Sequence, residues 1–141
     1  MKKLVSTIAI FTVFIFFTTA SFGQCNAGSI SEACIPKLQD GFNFVKSYQV
    51  DGNGKSKVEY SYVFAKGTQY MINICSEAAD TDGIVVSLYN SSRKRVTTSN
   101  ANGKLFSAIA YPCNATGIYY ITFTFEGSAK NCGGAVLGFK R

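Results

Sequence analysis

Ile118-Tyr119-Tyr120-Ile121-Thr122-Phe123-Thr124-Phe125 decides the fold. Every residue in this run is β-branched or aromatic, the side chains that suit a pleated, half-buried surface. Tyr119, Ile121, Phe123 and Phe125 share one face, and with a side-chain period of two that face is the buried one. Tyr120 shares the other with Ile118, Thr122 and Thr124 and is expected to face outward.

The same chemistry recurs on both sides of this run. Downstream, Gly133-Gly134 leads into a short strand, Ala135 to Phe139. Upstream, a strand from Leu105 to Tyr111 follows an Asn102-Gly103 turn, and a polar strand covers Arg95 to Thr98. Before these come Ile84 to Tyr89, then Tyr70, Ile72 and Ile74. Phe42, Phe44, Tyr48 and Val50 alternate on one side of Asp51-Gly52-Asn53-Gly54, and Val58, Tyr60, Tyr62 and Phe64 alternate on the other, a pattern expected of a hairpin. Residues 24–41 are irregular, broken by Gly28, Pro36 and Gly41, with room for one helical turn at Ser29 to Ala33. Seven or eight strands joined by turn chemistry predict a single all-β domain, an antiparallel sandwich or barrel.

The first residues read differently. Met1-Lys2-Lys3 precedes an apolar run from Leu4 to Phe17, too short to span a bilayer and suited to a secretion signal. Small residues at Ser21 and Gly23 place the cut before Gln24, giving a signal peptide 1–23 and a mature domain 24–141, with cleavage after Ala20 as the rival. Cys25 raises the lipoprotein alternative, which normally wants a small residue where Gln24 stands. The expected location is therefore periplasmic, cell-surface or extracellular, with no transmembrane segment in the mature chain.

Without Lys2 and Lys3 there remain 12 basic against 8 acidic residues, a balance of +4. That is modest for a nucleic-acid binder, and no nucleic-acid motif is present. All 5 cysteines follow the cut, in an oxidising compartment. With no CxxC pair and no histidine, zinc and redox sites are poor readings. Hairpin geometry puts Cys113 and Cys132 at opposite ends of a sheet, so they should not pair. It predicts Cys75–Cys132, with Cys113 joined to Cys34 or, as the alternative, Cys25.

Three segments carry a family resemblance: Tyr62 to Ile72 (YVFAKGTQYMI), Asp82 to Ser91 (DGIVVSLYNS) and Ala115 to Ile121 (ATGIYYI). Together they resemble the pre-peptidase C-terminal domain family over roughly residues 60–125. The resemblance implies a jelly-roll-like β-sandwich of 7–8 strands, of the kind appended to secreted bacterial proteases and other exported enzymes. Here the module has its own signal and a cysteine-bearing N-terminal segment.

Nucleophilic catalysis leans on a base, most often histidine, and there is none. The acids Glu59, Glu77, Asp80, Asp82 and Glu126 are candidates for paired-carboxylate chemistry, but four lie in or beside turns. Asp80 and Asp82 suit calcium, against the plain alternative of a polar turn before Gly83. Arg93-Lys94-Arg95, with Lys104 across the next hairpin, suits an acidic polymer; the alternative is a solvated edge that deters strand pairing. The outward Tyr120 adds a ring for stacking. The leading expectation is a non-catalytic binding or structural module contacting a polymer or an exported partner protein. The alternative is an accessory or inhibitory subunit of a separately encoded exported enzyme such as a protease.

Overall fold

A computed structural model describes residues 24–78, 81–128 and 130–141. The expected signal peptide, its cleavage site and the first of the two candidate calcium ligands, Asp80, lie outside the described residues.

The described residues form ten strands: β1 Asn43–Asp51, β2 Lys57–Phe64, β3 Gln69–Ser76, β4 Ile84–Tyr89, β5 Arg95–Thr98, β6 Asn100–Ala101, β7 Lys104–Leu105, β8 Ala108–Pro112, β9 Gly117–Phe125 and β10 Cys132–Lys140. Eight of them form two antiparallel four-stranded sheets, ordered β1-β10-β3-β8 and β2-β9-β4-β5, while β6 and β7 form a separate ribbon. With the ribbon set aside, this is the strand order of a jelly roll. The ribbon closes on Asn102 and Gly103, both at positive φ, as a two-residue primed turn requires.

Both sheets turn their apolar faces inward. Tyr48, Val50, Ile72, Ile74, Ala135 and Leu137 from the first meet Phe64, Ile84, Val86, Leu88, Tyr119, Ile121 and Phe123 from the second. Phe64 stacks between Tyr70 and Tyr119, with ring centroids at 3.8 and 4.8 Å.

Residues 42–50 and 58–64 do not form a hairpin: β1 pairs with β10 and β2 with β9, in different sheets. Alternation reports which face is buried, and strands in facing sheets bury the same faces as strands paired side by side. The alternation itself breaks at a register shift between Phe44 and Lys46. Phe44 is turned outward and Val45 packs against the core instead.

The N-terminal segment is more ordered than expected. Helix α1, Ala27–Ala33, starts with the Asn26 side chain accepting from Ser29 N, and a 3₁₀ turn follows at Ile35–Lys37. The helix lies against β10 and β1 on the outer face of the first sheet. Ile30 and Val136 are buried in this second cluster, with Ile35 and Leu38 packed beside them. Two disulfides fasten it, Cys25–Cys132 and Cys34–Cys75, and Cys113 is a buried free thiol.

The expected bonds Cys75–Cys132 and Cys113–Cys34 (or Cys25) are thereby corrected. The error lies in strand order, since the 118–125 strand pairs with β2 and β4 and not with the 105–111 or 135–139 regions. Cys75 and Cys132 do sit at the same end of their sheet, where Cys75 is opposite Gly134 and Ser76 opposite Gly133. Each takes its partner from the helical segment laid over that end. Cys113 follows Pro112, which pairs with Gln69 at the other end of β3. Six residues at about 3.3 Å each separate Gln69 from Cys75, so Cys113 is out of reach of all four bonded cysteines.

Candidate functional site

Helix α1 covers the first sheet over β10, β1 and part of β3, and the outer face of the second sheet and the loop ends stay open. The basic turn between β4 and β5 borders both. Asn90 Oδ1 accepts from the backbone N–H of Ser92 and of Lys94, each at 3.0 Å. The Asn90 N–H donates to the Lys94 carbonyl and the Arg93 N–H to the Asn90 carbonyl, both at 2.9 Å. Ser91 Oγ donates to the Ile118 carbonyl at 2.8 Å, tying the turn to β9. Arg93 has φ 61°, a left-handed conformation uncommon outside glycine.

That backbone geometry sends the Arg93 side chain over the outer sheet face. Its guanidinium lies 3.5 Å from the Tyr120 ring centroid and pairs with Glu59 at 2.8 Å. Glu59 also accepts from Thr122 Oγ1 at 2.9 Å. Burial alone would raise the Glu59 carboxyl, but these hydrogen bonds and the charges of Arg93 and Lys57 outweigh it and hold the group below its ordinary range. Tyr120 points outward as expected, half-buried under Arg93, with Ser61 and Tyr89 as its cross-strand neighbours. Beyond them on the same face, Val63 is 59% and Ile118 48% exposed.

Lys94 and Arg95 are directed elsewhere. They line a groove of about 540 Å³ at the end of the sandwich, together with Asn90, Ser91, Ser92, Val96, Tyr111, Asn114, Ala115, Thr116 and Tyr119. Its far wall is the β8–β9 loop, fixed by Lys66 N–H donating to Thr116 Oγ1 and Cys113 N–H to the Thr68 carbonyl. Beneath it, Tyr119 Oη donates to the Ala115 carbonyl at 2.8 Å and lies 3.4 Å from Tyr111 Oη. The Cys113 thiol donates to the same carbonyl at 3.2 Å. Burial, then hydrogen bonding to Tyr111 and Cys113, pushes the Tyr119 phenol well above its ordinary value, so it stays protonated. Among the described residues Lys94 and Arg95 make no ion pair, and no carboxylate lines the groove.

Lys104 is not part of this cluster. It lies in the β6–β7 ribbon off the opposite end of β5, with its ammonium 5.1 Å from the Phe106 ring centroid. Asp82 has φ 45° and accepts from Ser128 Oγ at 3.1 Å. Among the described residues no three acidic, cysteine or histidine side chains gather as a metal site would need.

Sequence reasoning missed the groove-forming residues Asn90, Tyr111, Asn114 and Thr116, which read only as turn and strand residues. The signal that finds them is topological: in this strand order the β4–β5 and β8–β9 connections meet at one end.

Searched by sequence, the chain matches no protein-family model and no curated protein. Similar solved structures exist. The periplasmic inhibitor of g-type lysozyme PliG from Aeromonas hydrophila is 10% identical, with 73% of this chain and 91% of that one covered and a TM-score of 0.46. The pre-peptidase C-terminal domain of a Bacillus anthracis collagenase is 19% identical over 70% of this chain and 87% of that one, with a TM-score of 0.41. The Gap123 glycosylation-associated protein complex from Streptococcus agalactiae is 16% identical over 72% and 39%, with a TM-score of 0.39. These are distant likenesses of fold.

Proposed function

We propose that the chain is a secreted, non-catalytic binding module that captures an anionic polymer at the basic end of its sandwich. The observation that carries this reading is the division of labour within one turn. Arg93 is matched by Glu59, whereas the exposed Lys94 and Arg95 face a polar groove where, among the described residues, no carboxylate neutralises them. Uncompensated cations beside a concave surface raise the local concentration of anions and fix their position once bound. The absence of histidine from the chain and of acids from the groove supports capture over chemistry. Export is supported by the leader-like start and by two disulfides.

The test is affinity electrophoresis through gels containing acidic polymers, at two salt concentrations. Lys94→Ser/Arg95→Ser should abolish most of the retardation and flatten its salt dependence, with the melting temperature nearly unchanged because exposed charges contribute little to stability. Tyr120→Ala should change retardation little, since its ring lies under Arg93 on the sheet face and does not line the groove. Full retardation of the double variant would sink the reading. The second reading, an accessory or inhibitory subunit docking on an exported enzyme, is favoured by the exposed pair Val63 and Ile118. Co-elution with a secreted hydrolase that is lost in Val63→Ser/Ile118→Ser would select it.

A further inference from the structure

The groove's uncharged atoms say which anionic polymer fits, given that the reading above is right. A polyphosphate chain presents only acceptors along its length. A wall built for it would be all donors, because acceptor oxygens held against phosphate are left unpaired or repelled. This groove is mixed. Thr116 Oγ1 already accepts from Lys66 N–H, so its hydroxyl proton remains to be given away. Ser91 Oγ already donates to the Ile118 carbonyl, so its lone pairs remain to accept. Asn90 spends its oxygen inside the turn and keeps its amide protons. Asn114 takes only a long contact of 3.5 Å from Tyr111 Oη and keeps both donor and acceptor capacity.

A mixture of donors and acceptors matches hydroxyls, which do both. Between the two walls, Val96 and the half-buried Tyr111 supply apolar surface of the kind that packs against the C–H face of a sugar ring. The volume of about 540 Å³ lies within the ordinary range for small-ligand sites.

We infer that the groove holds a unit of an acidic polysaccharide. Its carboxylate or sulfate lies between Lys94 and Arg95, its hydroxyls meet Asn90, Asn114, Ser91 and Thr116, and its ring rests on Val96 and Tyr111. Uronate carboxylates and sulfate esters share this chemistry, and the test tells them apart.

The purified, oxidised protein is titrated calorimetrically with polygalacturonate, dextran sulfate, neutral dextran, polyphosphate and poly-glutamate at one ionic strength. Polygalacturonate, dextran sulfate or both should bind, whichever does naming the acidic group, and the other three should bind at least about tenfold more weakly. Asn114→Ala, an exposed substitution, should weaken the polysaccharide severalfold and leave any residual polyphosphate binding unchanged. Equal binding of polyphosphate or poly-glutamate, with Asn114→Ala silent, would overturn the polysaccharide assignment while leaving anionic capture standing. No binding of any polyanion would overturn both.

Discussion

Arg93 holds a backbone conformation that a non-glycine residue adopts at a cost, and the contacts it reaches explain why it is there. Ring, carboxylate and guanidinium form one unit on the sheet face, with Tyr120 below, Glu59 at the side and Thr122 completing the carboxylate. The consequence is a pH dependence whose sign follows from Glu59. Its folded-state carboxyl titrates below the unfolded one, so its contribution is fully present above the unfolded value near 4.3 and is lost as pH falls through the folded value. Glu59→Gln should therefore lower the melting temperature slightly at neutral pH. It should also make the decline between about pH 5 and 3 shallower than in the parent. Parallel melting curves across that window would show that the pair contributes nothing in solution, as many exposed ion pairs do.

At the scale of elements, most strands were legible and their partners were not; the single strand expected over Leu105 to Tyr111 is two, β7 in the ribbon and β8 in the first sheet. A period of two in 58–64 and 118–125 announces a strand and its buried face from local chemistry alone. Nothing in Tyr48 or Tyr60 says whether their strands lie side by side or face each other across a core, where their rings in fact meet at 4.8 Å. The same limit hid the groove, since Lys94 and Arg95 were visible as a charged turn but Asn114 and Tyr111 join them only through strand order. Helix α1 was legible only as a single turn at Ser29 to Ala33, for a different reason. Its seven residues carry little propensity of their own, and packing and two covalent bonds hold it in place. Gly133-Gly134, expected to precede the last strand, lies inside it, and at Gly134 the helix needs the space: a Cβ there would stand 2.5 Å from the Ser31 backbone. Gly134→Ala should thus destabilise the protein by about 3 kcal/mol, the upper end of overpacking costs, because a doubly tethered helix cannot retreat. Denaturant midpoints measure it. An unchanged midpoint would mean that α1 does not sit on β10 as described.

Across the whole molecule, the disulfide fastening and the proposed binding groove occupy opposite ends. The four bonded cysteines all lie at the end of the first sheet where β3 finishes and β10 begins, whereas Cys113 and the groove lie where β3 starts, about 20 Å away along the strand. None of the bonded cysteines belongs to the inter-sheet core, which is closed by Phe64, Ile121, Phe123 and Leu137; the buried three, Cys34, Cys75 and Cys132, belong to the cluster under the helix, and Cys25 packs against it. The sandwich and the helical clamp are thus separable in stability although joined in sequence. Removing Cys25–Cys132 by the double substitution Cys25→Ala/Cys132→Ala opens a link across 107 residues. On the chain-entropy account, closing a loop of that length contributes roughly 4 to 5 kcal/mol, less where Cys34–Cys75 already constrains part of it. The variant should melt well below the parent, show earlier hydrogen exchange in residues 25–38, and keep the strand amides of β2, β4 and β9 protected under native conditions. Its affinity for acidic polysaccharide should stay within about twofold of the parent, because no groove residue touches either bond. Alkylation provides the control: Cys113 should resist a thiol reagent until the sandwich itself unfolds, being buried in the inter-sheet core. If loss of the Cys25 bond exposed Cys113 or abolished polysaccharide binding, the two ends would have to be cooperative, and the division of the molecule into clamp and binding end would fail.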